Sequence, residues 1–120
     1  MRGEEMTLGQ KQRMFTRLVG LLIEYAYQNG YELTFGDAYR DPRVHGDVGV
    51  KKSYSSAVSV HKQRLAIDLN LFKDGVYQTS SEAHRQLGEF WKDLHPDCRW
   101  GGDFKSPDGN HYSMTHGGRA

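Results

Sequence analysis

Cysteine and long hydrophobic runs are the two features this 120-residue chain most lacks. Cys98 is the only cysteine, so no disulfide can form within the chain, and this suits a protein made in a reducing cytoplasm. We expect Cys98 to be a buried free thiol.

The longest apolar run, residues 18–23, is too short to span a bilayer. The first six residues lack the hydrophobic core of a signal peptide, so another factor would have to give the chain access to a substrate outside the membrane.

An excess of charge of one sign is also missing. The formal net charge is +1 and the sequence pI is about 7.9, and the basic residues are scattered rather than clustered. A nucleic-acid partner is therefore not indicated. The length is that of one domain with a single core, and we expect residues 1–120 to form one domain and to act as a monomer.

Two helices and several strands are predicted from periodicity and capping signals. A capping box at Thr7 and Gln10 and a helical repeat of apolar residues predict a helix over 8–28. A second box at Thr79 and Glu82 predicts a helix that ends near Leu94. Strands are expected over 31–35, 65–72 and 111–114, with a hairpin turn at 73–75 and a long loop over 41–58.

This order of elements predicts an α+β domain in which helices pack on one face of a small antiparallel sheet. Within the strand over 65–72, the apolar residues Leu65, Ile67, Leu69 and Leu71 share one face, so Asp68 points to the other. An unpaired charge inside such an apolar run would cost several kcal/mol, and a neighbouring cation would remove that cost.

His61 and Asp68 form one half of a candidate metal site. A catalytic zinc takes three protein ligands and leaves a fourth position open for water. A histidine and an aspartate seven residues apart are, however, more often a surface histidine and a solvated aspartate. Taken alone, the pair is a weak signal.

Asp108 and His111 form the other half. If His111 is a ligand, a carboxylate three residues earlier on a turn can take a proton from water at the open position. Zinc lowers the pKa of such a water to about 7, so a carboxylate is a sufficient base. The alternative is a plain Asp-Gly turn.

The two halves together resemble a known family. Ser59-x-His61-x-x-x-Leu65-Ala66-x-Asp68, followed by Asp108-x-x-His111, is similar to the zinc D-alanyl-D-alanine carboxypeptidase-like peptidases. These include the vancomycin-resistance D,D-peptidases and the phage endolysins that cut the L-alanyl-D-glutamate bond of peptidoglycan. The family's glycine is replaced at Arg64-Leu65, and Asp108 stands where the dipeptidases have glutamate; both departures point toward the endolysin branch.

The resemblance implies a role for each matched residue and a fold like that of the D,D-peptidases and hedgehog domains. His61, Asp68 and His111 would bind one Zn²⁺, and Asp108 would be the general base. Arg40 matches the family's Tyr-Arg segment and would stabilise charge on the attacked carbonyl. The alternative for Arg40 is a surface ion pair with a neighbouring aspartate.

We therefore expect a zinc metallopeptidase acting on the peptidoglycan stem peptide, an L-alanyl-D-glutamate endopeptidase of a phage that lyses its host. It would be made in the host cytoplasm and act on the cell wall after release. One alternative is a D-alanyl-D-alanine carboxypeptidase or dipeptidase with the same site. A second is a non-catalytic zinc-stabilised binding module, as in the hedgehog signalling domain, and a remote third is a nuclease built around Asn110 and His111.

Other histidines and aromatics carry weaker signals. His45, His84, His95 and His116 are surplus imidazoles, and we expect His84 and His95 to lie on the surface of the second helix. Trp100 and Tyr112 flank the candidate site in sequence. They could shape a peptide groove, although aromatics at such positions more often belong to the core.

Overall fold

The structure, a computed structural model, describes residues 6–36 and 63–116. The predicted loop over 41–58 lies outside these residues. Two helices and five strands are seen in the described part: α1 (Leu8–Gln28), β1 (Tyr31–Phe35), β2 (Ala66–Lys73), β3 (Val76–Gln78), α2 (Arg85–Leu94), β4 (Cys98–Trp100) and β5 (His111–Met114).

Strand β2 organises the sheet because three other strands pair with it. All pairings are antiparallel, in the order β1-β2-β5-β4, and β3 also pairs with β2. The first residues of β2 pair with β5, and the last residues of β2 pair with β3. The hairpin between β2 and β3 turns at Asp74 and Gly75, within the turn predicted over 73–75, and their φ values of 54° and 77° are those of a two-residue hairpin turn.

The first helix begins and ends where the sequence predicts. The Gln10 amide nitrogen donates to Thr7 Oγ1 over 3.1 Å, and the Thr7 amide donates to Gln10 Oε1 over 2.9 Å. These two bonds satisfy donors that have no partner within the helix. Gly30, at φ 88°, then leads the chain into β1.

The start of the second helix differs from the prediction. A 3-10 turn, Glu82–His84, precedes α2, and its N-cap residue, Ser81, makes no side-chain capping bond. The preceding residue, Ser80, accepts from the Ala83 amide through its Oγ over 3.1 Å. Glu82 does not close a box with Thr79; its carboxylate pairs with Arg85 instead. The ion pair replaces the backbone bond that the capping box would have made.

Strand β4 was not predicted, because three residues are too few to show a period. It nevertheless extends the sheet, and Cys98, 3% exposed, is the buried thiol that the sequence predicted. Burial raises the pKa of this thiol to about 12.

No helix among the described residues is long and apolar enough to cross a membrane.

The core lies between the two helices and one face of the sheet, as predicted. Phe15 of α1 meets the Trp91 ring edge-on, with centroids 5.7 Å apart. Trp91 Nε1 donates to the backbone oxygens of Arg99 and Ser113, each over 3.0 Å, and so joins α2 to β4 and β5. The sheet face that Trp91 covers includes Tyr112, which is fully buried. The opposite face is left to the candidate site.

Candidate active site

Asp68 and His111 are directly opposite each other in the pairing of β2 with β5. In such a pair both side chains stand on the same face of the sheet. Asp68 Oδ1 lies 3.4 Å from His111 Nδ1, and each residue is only 7% exposed. The structure therefore brings together two residues that are 43 positions apart in the sequence.

The strand pattern explains why this pair faces away from the core. Leu69 and Tyr112, the next residue on each strand, are 1% and 0% exposed and belong to the core. Since neighbouring side chains of a strand point to opposite faces, Asp68 and His111 lie on the other one. The predicted orientation of Asp68 agrees with this arrangement.

The two side chains fit a shared zinc ion in chemistry and spacing. A carboxylate oxygen and an imidazole nitrogen are both common zinc ligands. Two ligand atoms about 2.0–2.1 Å from a tetrahedral ion lie about 3.3–3.4 Å from each other, and the observed separation is 3.4 Å. The predicted third ligand, His61, lies outside the described residues, and within residues 6–36 and 63–116 no three His, Cys, Asp or Glu side chains cluster to hold a metal.

The chain leaves β1 close to Asp68. The Gly36 amide donates to the Asp68 backbone oxygen over 2.7 Å, and a Cβ added at position 36 would lie 3.0 Å from the Asp68 Cβ. A side chain here would crowd Asp68. Arg40 follows four residues later and lies outside the described residues.

Asp108 is on a turn tied to the start of β5. Its backbone oxygen accepts from the His111 amide over 3.1 Å, and its own amide donates to the Gly101 oxygen over 2.9 Å. Asp108 is exposed, so water can reach its carboxylate. The structure thus places the predicted base one tight turn before the predicted ligand.

A polar cavity of about 190 Å³ opens beside Asp108. Its walls are the Asp108–Asn110 turn and the chain from Tyr77 to Ser81, with His84 also lining it. Serine, threonine, glutamine and asparagine side chains predominate, so the cavity suits a hydrogen-bonding group better than an apolar one.

His84 is in the interior, and the prediction that it lies on the surface is wrong. It is 4% exposed, and its Nδ1 lies 2.9 Å from the Tyr112 hydroxyl. Burial lowers the pKa of His84 to about 4 and raises that of Tyr112. A signal was present: His84 precedes Leu87 by three positions and Trp91 by seven, which is the spacing of the buried helix face.

Trp100 and Tyr112 belong to the core, which is the more common of the two roles considered for them. Trp100 has a further contact that the sequence did not predict, since its Nε1 donates to the Gly109 oxygen over 2.7 Å. Ser81 likewise accepts from the Gly109 amide over 2.9 Å. The Ser81 bond joins segments that are 28 positions apart, for which no local pattern exists.

Comparison with known proteins supports the predicted family and fold. A sequence profile of a peptidase family described as D-alanyl-D-alanine carboxypeptidase matches residues 53–114, just over half of the chain. No curated protein matches the sequence. The crystal structure of the Serratia marcescens L-Ala D-Glu endopeptidase ChiX has the same fold, with a TM-score of 0.63 and 19% identity over 86% of this chain and 79% of that one. The chain therefore belongs to the D-alanyl-D-alanine carboxypeptidase family of peptidases.

Proposed function

We propose that this member of the peptidase family is a zinc enzyme that cleaves the L-alanyl-D-glutamate bond of the peptidoglycan stem peptide. His61, Asp68 and His111 would hold one Zn²⁺. The observation that carries the proposal is the Asp68–His111 pair, buried on one sheet face with ligand atoms 3.4 Å apart. Burial of a carboxylate and an imidazole side by side is expensive unless a cation or hydrogen bonds compensate for it.

The predicted catalytic residues would perform a hydrolysis. Zinc, when bound, supplies a Lewis acid that polarises the scissile carbonyl and makes water more acidic. Asp108 would take the proton from the attacking water and return it to the leaving amine. Arg40 would stabilise the negative charge that develops on the carbonyl oxygen.

Two bonds are candidates for cleavage, and different observations favour each. The neighbour of the same fold is an L-Ala D-Glu endopeptidase, and Asp108 in place of glutamate points to the same specificity. The family description, D-alanyl-D-alanine carboxypeptidase, favours release of a terminal D-alanine. We favour the endopeptidase, acting as the endolysin of a phage that releases the protein from the host cytoplasm to the cell wall.

Digestion of purified muropeptides, with and without a chelator, tests the proposal. Mass spectrometry should show new fragments with a free N-terminal D-glutamate, lost on chelation and restored by zinc. Released D-alanine would support the carboxypeptidase instead. A chain that binds zinc but hydrolyses neither bond would be the non-catalytic binding module.

Exchange of Asp108 for alanine tests its role as the base. Asp108→Ala should bind zinc as the wild type does and lose activity by roughly 100-fold or more. The matched control is Asp103→Ala, because Asp103 is an exposed carboxylate of the same loop whose partner is Lys92, 2.7 Å away. Full activity of Asp108→Ala would remove Asp108 from the mechanism.

A further inference from the structure

The turn that carries Asp108 is held by hydrogen bonds from two parts of the chain. The segment just before it supplies Gly101, whose oxygen accepts from the Asp108 amide, and Trp100, which donates to the Gly109 oxygen over 2.7 Å. Ser81 lies 28 positions away from Gly109, and its Oγ accepts from the Gly109 amide over 2.9 Å. Of these three bonds, only the one from Ser81 crosses from the helical segment to the turn.

Ser81 and Gly109 are also in close packing contact. A Cβ added to Gly109 would lie 2.5 Å from the Ser81 Cα and 2.9 Å from its Cβ, so only glycine fits at position 109. Ser81 is itself fixed, because its backbone oxygen accepts from the His84 amide over 3.0 Å. The hydroxyl is therefore presented to the turn from a rigid support.

We propose that Ser81 is a positioning residue that holds Asp108 in place for proton transfer, an inference that rests on the proposed function. Asp108 lies on the turn that these bonds hold, so the place of its carboxylate relative to β5 follows the backbone of the turn. Ser81 bonds to the residue directly after Asp108, and His111 begins β5 two residues later. Loss of the Ser81 bond would let the carboxylate move relative to His111.

A small displacement of a catalytic group has a large effect on rate, and about 1 Å can cost roughly 100-fold. Removal of the Ser81 hydroxyl should therefore lower kcat by roughly 10- to 100-fold. KM should change by no more than about twofold, since Ser81 acts through Asp108 and not on the substrate.

The matched control is Thr7, which lies before α1 and does not line the cavity beside Asp108. Thr7 Oγ1 accepts from the Gln10 amide over 3.1 Å, so Thr7→Ala and Ser81→Ala each remove one bond from a hydroxyl to a backbone amide. Their losses of stability should be similar, about 1 kcal/mol by general experience with such bonds. Only Ser81→Ala should lower kcat, whereas Thr7→Ala should stay within about twofold of the wild type.

Two further measurements separate positioning from a general loss of structure. Amide hydrogen exchange at Gly109 should be faster in Ser81→Ala and unchanged in Thr7→Ala. Ser81→Thr, which keeps the hydroxyl, should recover most of the lost kcat. Equal losses of kcat in the two alanine variants, a raised KM with unchanged kcat, or unaltered exchange at Gly109 would each overturn the proposal.

The wild type, measured beside these variants, separates this proposal from the function it rests on. If the wild type hydrolyses neither candidate bond, the proposed function fails and the role of Ser81 fails with it. If the wild type is active and Ser81→Ala has the same kcat, only the role of Ser81 is overturned.

Discussion

His84 and Tyr112 form a buried pair, with 2.9 Å between the imidazole Nδ1 and the phenol oxygen. The bond joins the start of the second helical segment to the core face of β5, directly after His111. His84 is 4% exposed and its pKa is lowered to about 4 by burial. The interior thus holds this histidine in its neutral form.

Mild acid should destabilise the protein through His84. Because its pKa is about 4 in the folded chain and 6.5 in the reference state, the stability it contributes is complete above pH 6.5 and falls as the pH drops toward 4. At about 1.4 kcal/mol per pKa unit, the loss by pH 4 is about 3 kcal/mol. Urea unfolding at several pH values, with the metal removed by a chelator, measures this loss.

His84→Gln is the control, since glutamine does not titrate and can still bond to the Tyr112 hydroxyl. Between pH 6.5 and 4 the free energy of unfolding of this variant should fall by about 3 kcal/mol less than that of the wild type. Parallel pH curves for the two proteins would show that His84 is not the group responsible.

The parts of the fold that the sequence predicted are those set by short-range patterns. The Thr7–Gln10 box and the helical repeat determine α1, and alternation along β2 places Asp68 opposite the core. The burial of His84 was predictable from the same kind of spacing but was missed, because a polar residue was assigned to the surface by its type alone.

The parts that could not be predicted depend on contacts between distant residues. Strand β4 has three residues and is defined by its pairing with β5. The Ser81–Gly109 bond joins two loops whose sequences contain no sign of each other. For the candidate site, Asp68 and His111 were paired through resemblance to a family, and the strand register supplies the physical reason. The roles of His61, Asp68 and His111 as zinc ligands, and of Asp108 and Arg40 in catalysis, stay predictions.

Zinc should stabilise the folded chain, and Asp68 should be required for this effect. An ion that binds only the folded state at 100 times its Kd adds about 2.7 kcal/mol, which corresponds to a rise in Tm of roughly 10 °C for a domain of this size. Asp68→Asn should lose most of this rise, because the amide is a poor replacement for a carboxylate ligand. Thermal unfolding with added zinc or chelator measures it.

The control for Asp68 is Asn70, two residues along β2 on the same face. Asn70 Nδ2 donates to Thr34 Oγ1 over 3.3 Å, on the neighbouring strand. Asn70→Ala should lower the Tm of the metal-free protein slightly and keep the full response to zinc. If zinc raised the Tm of the Asp68→Asn variant as much as that of the wild type, Asp68 would be excluded as a ligand.

Removing either partner of the Lys11–Asp97 ion pair should lower the free energy of unfolding, and the two losses should differ in size. Lys11 Nζ lies 2.9 Å from Asp97 Oδ2 and also donates to the Thr115 oxygen; the two side chains are 11% and 37% exposed. Asp97→Ala leaves a buried ammonium group without its counter-ion and should cost about 2 kcal/mol. Lys11→Met leaves a carboxylate that water can reach and should cost about 1 kcal/mol or less.

Chemical denaturation of both variants and of the double variant measures this asymmetry. The double variant should be more stable than Asp97→Ala alone, since it removes the buried charge together with its partner. Equal costs for the two single variants would show that Lys11 reaches water when Asp97 is absent.

Two helical glycines should respond to alanine in opposite directions. Gly20 is exposed in α1, and nothing lies within 4 Å of a Cβ added there, so Gly20→Ala should stabilise the protein by about 1 kcal/mol through helix propensity. A Cβ at Gly88 would lie 2.2 Å from Trp100 Cδ2, in the core. Gly88→Ala should therefore cost about 1–3 kcal/mol.

Gly88→Ala should also affect activity, because the ring that it displaces is bonded to the Asp108 turn. Trp100 Nε1 donates to the Gly109 oxygen, so a shift of the indole would weaken one of the bonds that hold Asp108. Gly20→Ala adds a methyl group that meets no other atom within 4 Å, so it should keep the wild-type kcat within about twofold. Measured under conditions where both variants are fully folded, a normal kcat for Gly88→Ala would show that the turn keeps its place without the Trp100 bond.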